Sequence, residues 1–109
     1  MMKDFQLKGL EKLLNSDTIT KTYPMVDHID IRMDEDFVTP RGNRRLDVDI
    51  FLNDPTITEK NMYDNDFDPH YLVEYHIKNY ARYLGIENKF IINFIVWGPD
   101  GNIIYSWKD

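Results

Sequence analysis

The chain has 109 residues, no cysteine and a formal net charge of −6. That length allows one domain, residues 1–109, which can bury about 65% of its unfolded surface. The absence of thiols excludes disulfides, thiolate metal sites and a cysteine nucleophile, and the acidity argues against a protein whose work is neutralising phosphates.

Taken in order, Asp4 is placed to cap a first helix with Leu7, Leu10, Leu13 and Leu14 on one face. Gly9 weakens that helix by about 1 kcal/mol relative to alanine. It should fade at Asn15-Ser16-Asp17, leaving Thr18 to Pro24 as a connector. From Met25 to Met33 the apolar period becomes two: Ile29, Ile31 and Met33 share a face with Asp27, and His28, Asp30 and Arg32 take the opposite one. Arg45 to Leu52 repeats this, with Leu46, Val48, Ile50 and Leu52 inward and Asp47, Asp49 and Phe51 outward. The two strands read as an antiparallel pair, joined by a long connection, Asp34 to Arg44, with a turn signal at Pro40-Arg41-Gly42-Asn43.

Asn53 to Asp68 is the longest irregular stretch, with one helical turn expected at Thr58-Glu59. Such loops are usually functional or pinned by their own side chains. Asp68-Pro69 then opens the strongest helix, an aspartate cap before a proline, and Gly85 closes it. Val73, Ile77, Tyr80, Ala81 and Leu84 mark its buried face; Tyr71, Tyr75 and Tyr83 lie off that line. The chain finishes with two strands around Gly98-Pro99-Asp100-Gly101, where Gly101 supplies a left-handed residue. The expected fold is α+β in the order α-β-β-α-β-β. Its four-stranded sheet is mainly antiparallel, with the second helix on one face and the first helix covering the other face or flanking the sheet.

The strand from Phe90 is apolar on both sides. Phe90, Ile92, Phe94 and Val96 point one way; Ile91, Ile95 and Trp97 point the other, with Asn93 the one polar residue. This pattern belongs to a central strand with both faces covered. If the first helix does not shield Ile91, Ile95 and Trp97, another molecule must. Seven Tyr, six Phe and two Trp also exceed what the core stripes need, and Tyr and Trp suit interfaces. The expected interface is therefore Ile91, Ile95 and Trp97 with Tyr75, Tyr83 and Trp107. It would serve a protein partner or a homo-oligomer, with no nucleic acid, membrane or cofactor. Met1 to Phe5 lacks the apolar core of a signal peptide, and no run approaches the ~18 apolar residues of a membrane span, so the expected compartment is the cytoplasm.

Three groups could carry chemistry. His28, Asp30, Asp47 and Asp49 share one sheet face and could hold a divalent cation for phosphodiester hydrolysis, although Arg32, Arg44 and Arg45 are there to pair with the aspartates. Asp64, Asp66 and Asp68 resemble the opening of a calcium loop, but Pro69 stands where that loop needs glycine and Tyr75 where it needs glutamate. The bland alternative is an acidic loop whose last member caps a helix; an acidic inhibitor acting through Asp54 to Asp68 is a further possibility. His76, near the buried face of its helix, reads as a structural histidine rather than a catalytic one. Neither serine has a nucleophile setting.

Asn61-Met62-Tyr63-Asp64-Asn65-Asp66 and Ile91-Ile92-Asn93-Phe94 give the chain a composition that resembles the short Asn/Asp/Ile/Tyr-rich proteins of tailed bacteriophages. The resemblance implies a virion or assembly component, or an early protein that binds a host factor, in the host cytoplasm or the virion. It carries no motif, so it assigns no functional residue.

Overall fold

The computed structural model describes residues 4–38, 44–85 and 90–108. Its elements are α1 (Asp4–Leu14), α2 (Asp17–Thr22), β1 (Val26–Val38), β2 (Arg44–Leu52), a continuous helix α3 (residues 69–83), β3 (Phe90–Trp97) and β4 (Ile103–Trp107). A single 3-10 turn, Tyr63–Asn65, interrupts the long loop. The class is α+β, in the expected order apart from α2, which replaces the expected connector. The turn at Pro40 to Asn43 and the Asp4 cap fall outside the described residues and side chains.

The sheet runs β1-β2-β3-β4. Its outer pairs are antiparallel and its central pair, β2 with β3, is parallel, so it is mixed. A parallel pair needs a crossover of a dozen or more residues, typically helical, and the segment between Leu52 and Phe90 with α3 provides it. β1 runs on to Val38, further than its alternation suggests, with a register shift after Asp34.

A second irregularity, between Val26 and His28, corrects the expected face of Asp27. The bulge makes both Val26 and Ile29 buried and turns Asp27 out beside His28, because an extra residue interrupts the side-chain alternation.

One face of the sheet is the core. Ile29, Leu46, Val48, Ile50, Ile92, Phe94 and Val96 are buried there against Leu10 and Leu14 of α1, Ile19 of α2 and Leu72, Ile77 and Ala81 of α3. α1 is therefore not the cover for the second face. It flanks the sheet on the same side as α3, and Gly9 lets it approach Leu84, whose methyls would be 3.6 Å from an added Cβ. From α1, Glu11 Oε2 accepts from the Ile31 N–H at 3.0 Å. The Asn15 amide, just past the helix, pairs with both the N–H and the C=O of Ile29 at 2.8 Å. Two side chains thus occupy the outer edge of β1, which would otherwise present unpaired backbone groups.

α3 starts as its sequence implies: Asp68 Oδ1 accepts from the Tyr71 N–H at 3.2 Å and Pro69 is the first helical residue. Between Leu72 and Ile77 it widens into a π-helix before resuming as α. The wider turn sets Leu72 and Ile77, five residues apart, over one another. Leu72 thereby joins Val73, Ile77 and Ala81 in the core, while Tyr80 and Leu84 stay half-buried. Gly85 follows with φ +73°. The long loop is held by Ile57, Met62 and Phe67, all buried, so Phe67 is a core residue and not part of the aromatic surplus.

Candidate functional site

The outward residues of β1, β2 and β3 form a continuous surface that no described helix covers. Register arranges it in rows: His28 beside Phe51 and Phe51 beside Trp97; Asp30 beside Asp49 and Asp49 beside Ile95; Arg32 beside Asp47 and Asp47 beside Asn93; Arg45 beside Ile91. Phe51, Ile91, Ile95 and Trp97 are half-buried and His28, Asp30 and Arg32 exposed, whereas Leu46, Val48, Phe94 and Val96 on the reverse are at most 2% exposed.

The first row is aromatic. The His28 ring stacks on Phe51 (centroids 4.4 Å, planes 9° apart), and Phe51 lies nearly parallel to Trp97 (6.2 Å, 11°). The bulge before His28 sets the register that makes the stack. The outward direction of Phe51 is visible in its strand's alternation, but its pairing with His28 is not.

The four proposed metal ligands lie on this face; Asp47 and Asp49 are engaged by residues outside the set, and His28 and Asp30 stand beside each other. Asp49 Oδ1 accepts from the Trp97 indole N–H at 2.9 Å, and its Oδ2 accepts from Arg32 at 3.3 Å. Asp47 is bound by Arg45 at 3.2 Å. His28 Nδ1 holds Asp27 at 2.6 Å, and His28 Nε2 lies 3.9 Å from Asp30. No group of three or more His, Cys, Asp or Glu with metal-binding geometry occurs among the described residues. In the loop that resembles a calcium site, Asp66 sits in a left-handed turn, Asp64 and Asp66 face solvent and Asp68 caps α3.

At one end of the aromatic row lies an open cleft of about 430 Å³ bordered by Asp27, His28, Phe51, Asn53, Gly98 and Pro99. The size is that of a ligand pocket. Its ionisable lining consists of Asp27 and His28, which are hydrogen-bonded to each other.

The remaining expected interface residues lie elsewhere. Tyr75 and Tyr83 are exposed on α3, and Trp107 is exposed on β4 next to His70. They do not join Ile91, Ile95 and Trp97 in one patch: Trp107 pairs with Phe94 and so faces the helical side. Tyr71 and Tyr75 stack at 5.0 Å on the π-helical stretch. His76 sits among Tyr23, Tyr71, Tyr75 and Tyr80, and burial there holds its imidazole below its ordinary pKa. His70 Nε2 meets the Tyr105 hydroxyl at 2.6 Å, while burial pushes that phenol's pKa up. Three of the tyrosines around His76 share its helix and only Tyr23 comes from elsewhere in the chain, whereas the His70–Tyr105 pair depends wholly on contact between distant elements.

No protein-family model, curated protein or solved structure matches the chain. No helix among the described residues is long and apolar enough to cross a membrane.

Proposed function

We propose that the protein is a non-enzymatic interaction protein that docks through the helix-free face of its sheet. The observation that carries this reading is β3, which is apolar on both sides while the described helices pack against one side alone. Ile91, Ile95 and Trp97 therefore stand on an uncovered surface, with Phe51 beside them. Residues of this kind, half-buried within their own sheet, supply the apolar centre of an interface whose rim is polar. The engagement of Asp47 and Asp49 by arginines and the Trp97 indole favours binding over catalysis on this face. In a tailed-phage setting, the origin its composition resembles, such a module would serve in a virion or on a host factor.

Photo-crosslinking in the cells that naturally contain the protein tests the reading. A benzophenone side chain placed at Ile95 should give discrete protein adducts, and the same group at Lys60, on the loop, should give none. Equal labelling at the two positions would remove the sheet face as the docking surface.

A further inference from the structure

The charges on this face specify what kind of partner it fits, an inference that rests on the interaction reading above. Four described carboxylates, Asp27, Asp30, Asp47 and Asp49, share the face with Arg32 and Arg45. Both arginines are already engaged, on Asp49 and Asp47 respectively. Asp49 is further occupied by the Trp97 indole. Asp30 is left with His28 Nε2 at 3.9 Å, beyond hydrogen-bonding reach, and it stands directly opposite Asp49 in the register. Like charges directly opposed across an antiparallel pair are destabilising; Arg32 offsets the charge of Asp49, and a cation arriving over the pair would supply the counter-charge that Asp30 lacks within hydrogen-bonding reach.

The acidic side, β1 with β2, and the apolar side, β3, are adjacent. Two strand spacings, about 10 Å, separate β1 from β3. A segment crossing the sheet can therefore satisfy both at once. A second copy of this chain would bring the same acidic rows and its own net charge of −6, and a nucleic acid would bring phosphates. Both are electrostatically mismatched.

We propose that the helix-free sheet face is a docking site for a basic protein segment, which sets apolar side chains on Ile91, Ile95 and Trp97 and a Lys or Arg over the Asp30–Asp49 pair.

The test uses the full chain and three ten-residue peptides of alternating sequence, Leu-Arg, Leu-Glu and Ala-Arg, followed by amide and indole N–H chemical shifts. Trp107→Phe assigns the Trp97 indole signal. The Leu-Arg peptide should shift the Trp97 indole and the Asp30 amide. Its affinity should fall at least about tenfold between low and high salt and several-fold in Asp30→Asn, which keeps the side-chain shape at an exposed position. Ile95→Glu should abolish the shifts, with the remaining spectrum showing an intact fold.

Comparable binding of the Leu-Glu peptide, or insensitivity to salt, would overturn the basic partner and leave the docking face standing. Equal binding of the Ala-Arg peptide would remove the apolar contribution. Shifts that grow with protein concentration in the absence of peptide, and vanish in Ile95→Glu, would make a second copy the occupant. No response of Trp97 to any peptide or to concentration would overturn the basic-segment proposal, and crosslinking confined to Ile95 would still support the docking face itself.

Discussion

One polar residue fills a role in this fold that its sequence setting does not reveal. Asn15 follows the last turn of α1, where it reads as a helix stop, yet its amide bonds both backbone groups of Ile29 and so takes the place of a missing neighbouring strand. Asn15→Ala should cost about 1–2 kcal/mol, since two backbone groups lose a partner at a part-buried edge; urea unfolding would measure it. His76 offers a second test. Its imidazole is held below its ordinary pKa by burial among tyrosines, so the unfolded chain takes up a proton more readily than the folded one. The stability this provides is complete above about pH 6.5 and declines as pH falls from there towards the depressed folded value. His76→Gln should flatten the dependence of the melting temperature on pH between about 7 and 5. The lowered carboxyl of Asp54, bonded by Thr56, acts below that window and would leave this signal unchanged.

Among the helices and strands, α3 shows what local pattern can and cannot specify. Asp68, Pro69 and Gly85 mark its ends in the sequence because capping is local chemistry, and the structure places them accordingly. Asp68→Ala should cost about 1 kcal/mol. Gly85→Ala should cost a similar amount, because φ +73° strains any residue with a Cβ; thermal unfolding of the two variants checks both figures. The π stretch inside the helix was not legible. The stripe Val73, Ile77, Tyr80, Ala81 and Leu84 fits an α-helix throughout, and the wider turn is recognised only when Leu72 is found buried. α2 escaped notice for a related reason: Asp17–Thr22 has a single apolar residue, Ile19, so it displays no periodicity. The parallel pairing of β2 with β3 did leave a signal. A strand, a helix and a strand apolar on both sides form the pattern of a crossover unit, and antiparallel hairpins on either side obscured it.

The architecture has two layers, helices on one face of the sheet and nothing described on the other. Neighbouring residues of β3 therefore carry different weights. Phe94 is buried under the helices and Ile95 is half-buried on the open side. Phe94→Ala should lose about 3–5 kcal/mol, whereas Ile95→Ser in the isolated chain should lose less than about 1.5 kcal/mol; denaturant unfolding of the pair measures the asymmetry directly. A closed three-layer arrangement would make the two losses comparable.

The amino-acid pattern alone determined which residues alternate along β2 and along β1 from His28 to Met33, where α3 begins and ends, and that β3 is apolar on both sides. These follow from side-chain geometry within a few residues of chain, and that geometry is read at short range. Only the tertiary structure decided that α1 joins α3 on one side of the sheet, that Arg32, Arg45 and Trp97 take up Asp47 and Asp49, and that Ile91, Ile95 and Trp97 are left uncovered by the described helices. The layer a helix packs in and the partner a charge finds depend on strand register and on crossover between distant segments, and local periodicity carries no information about either.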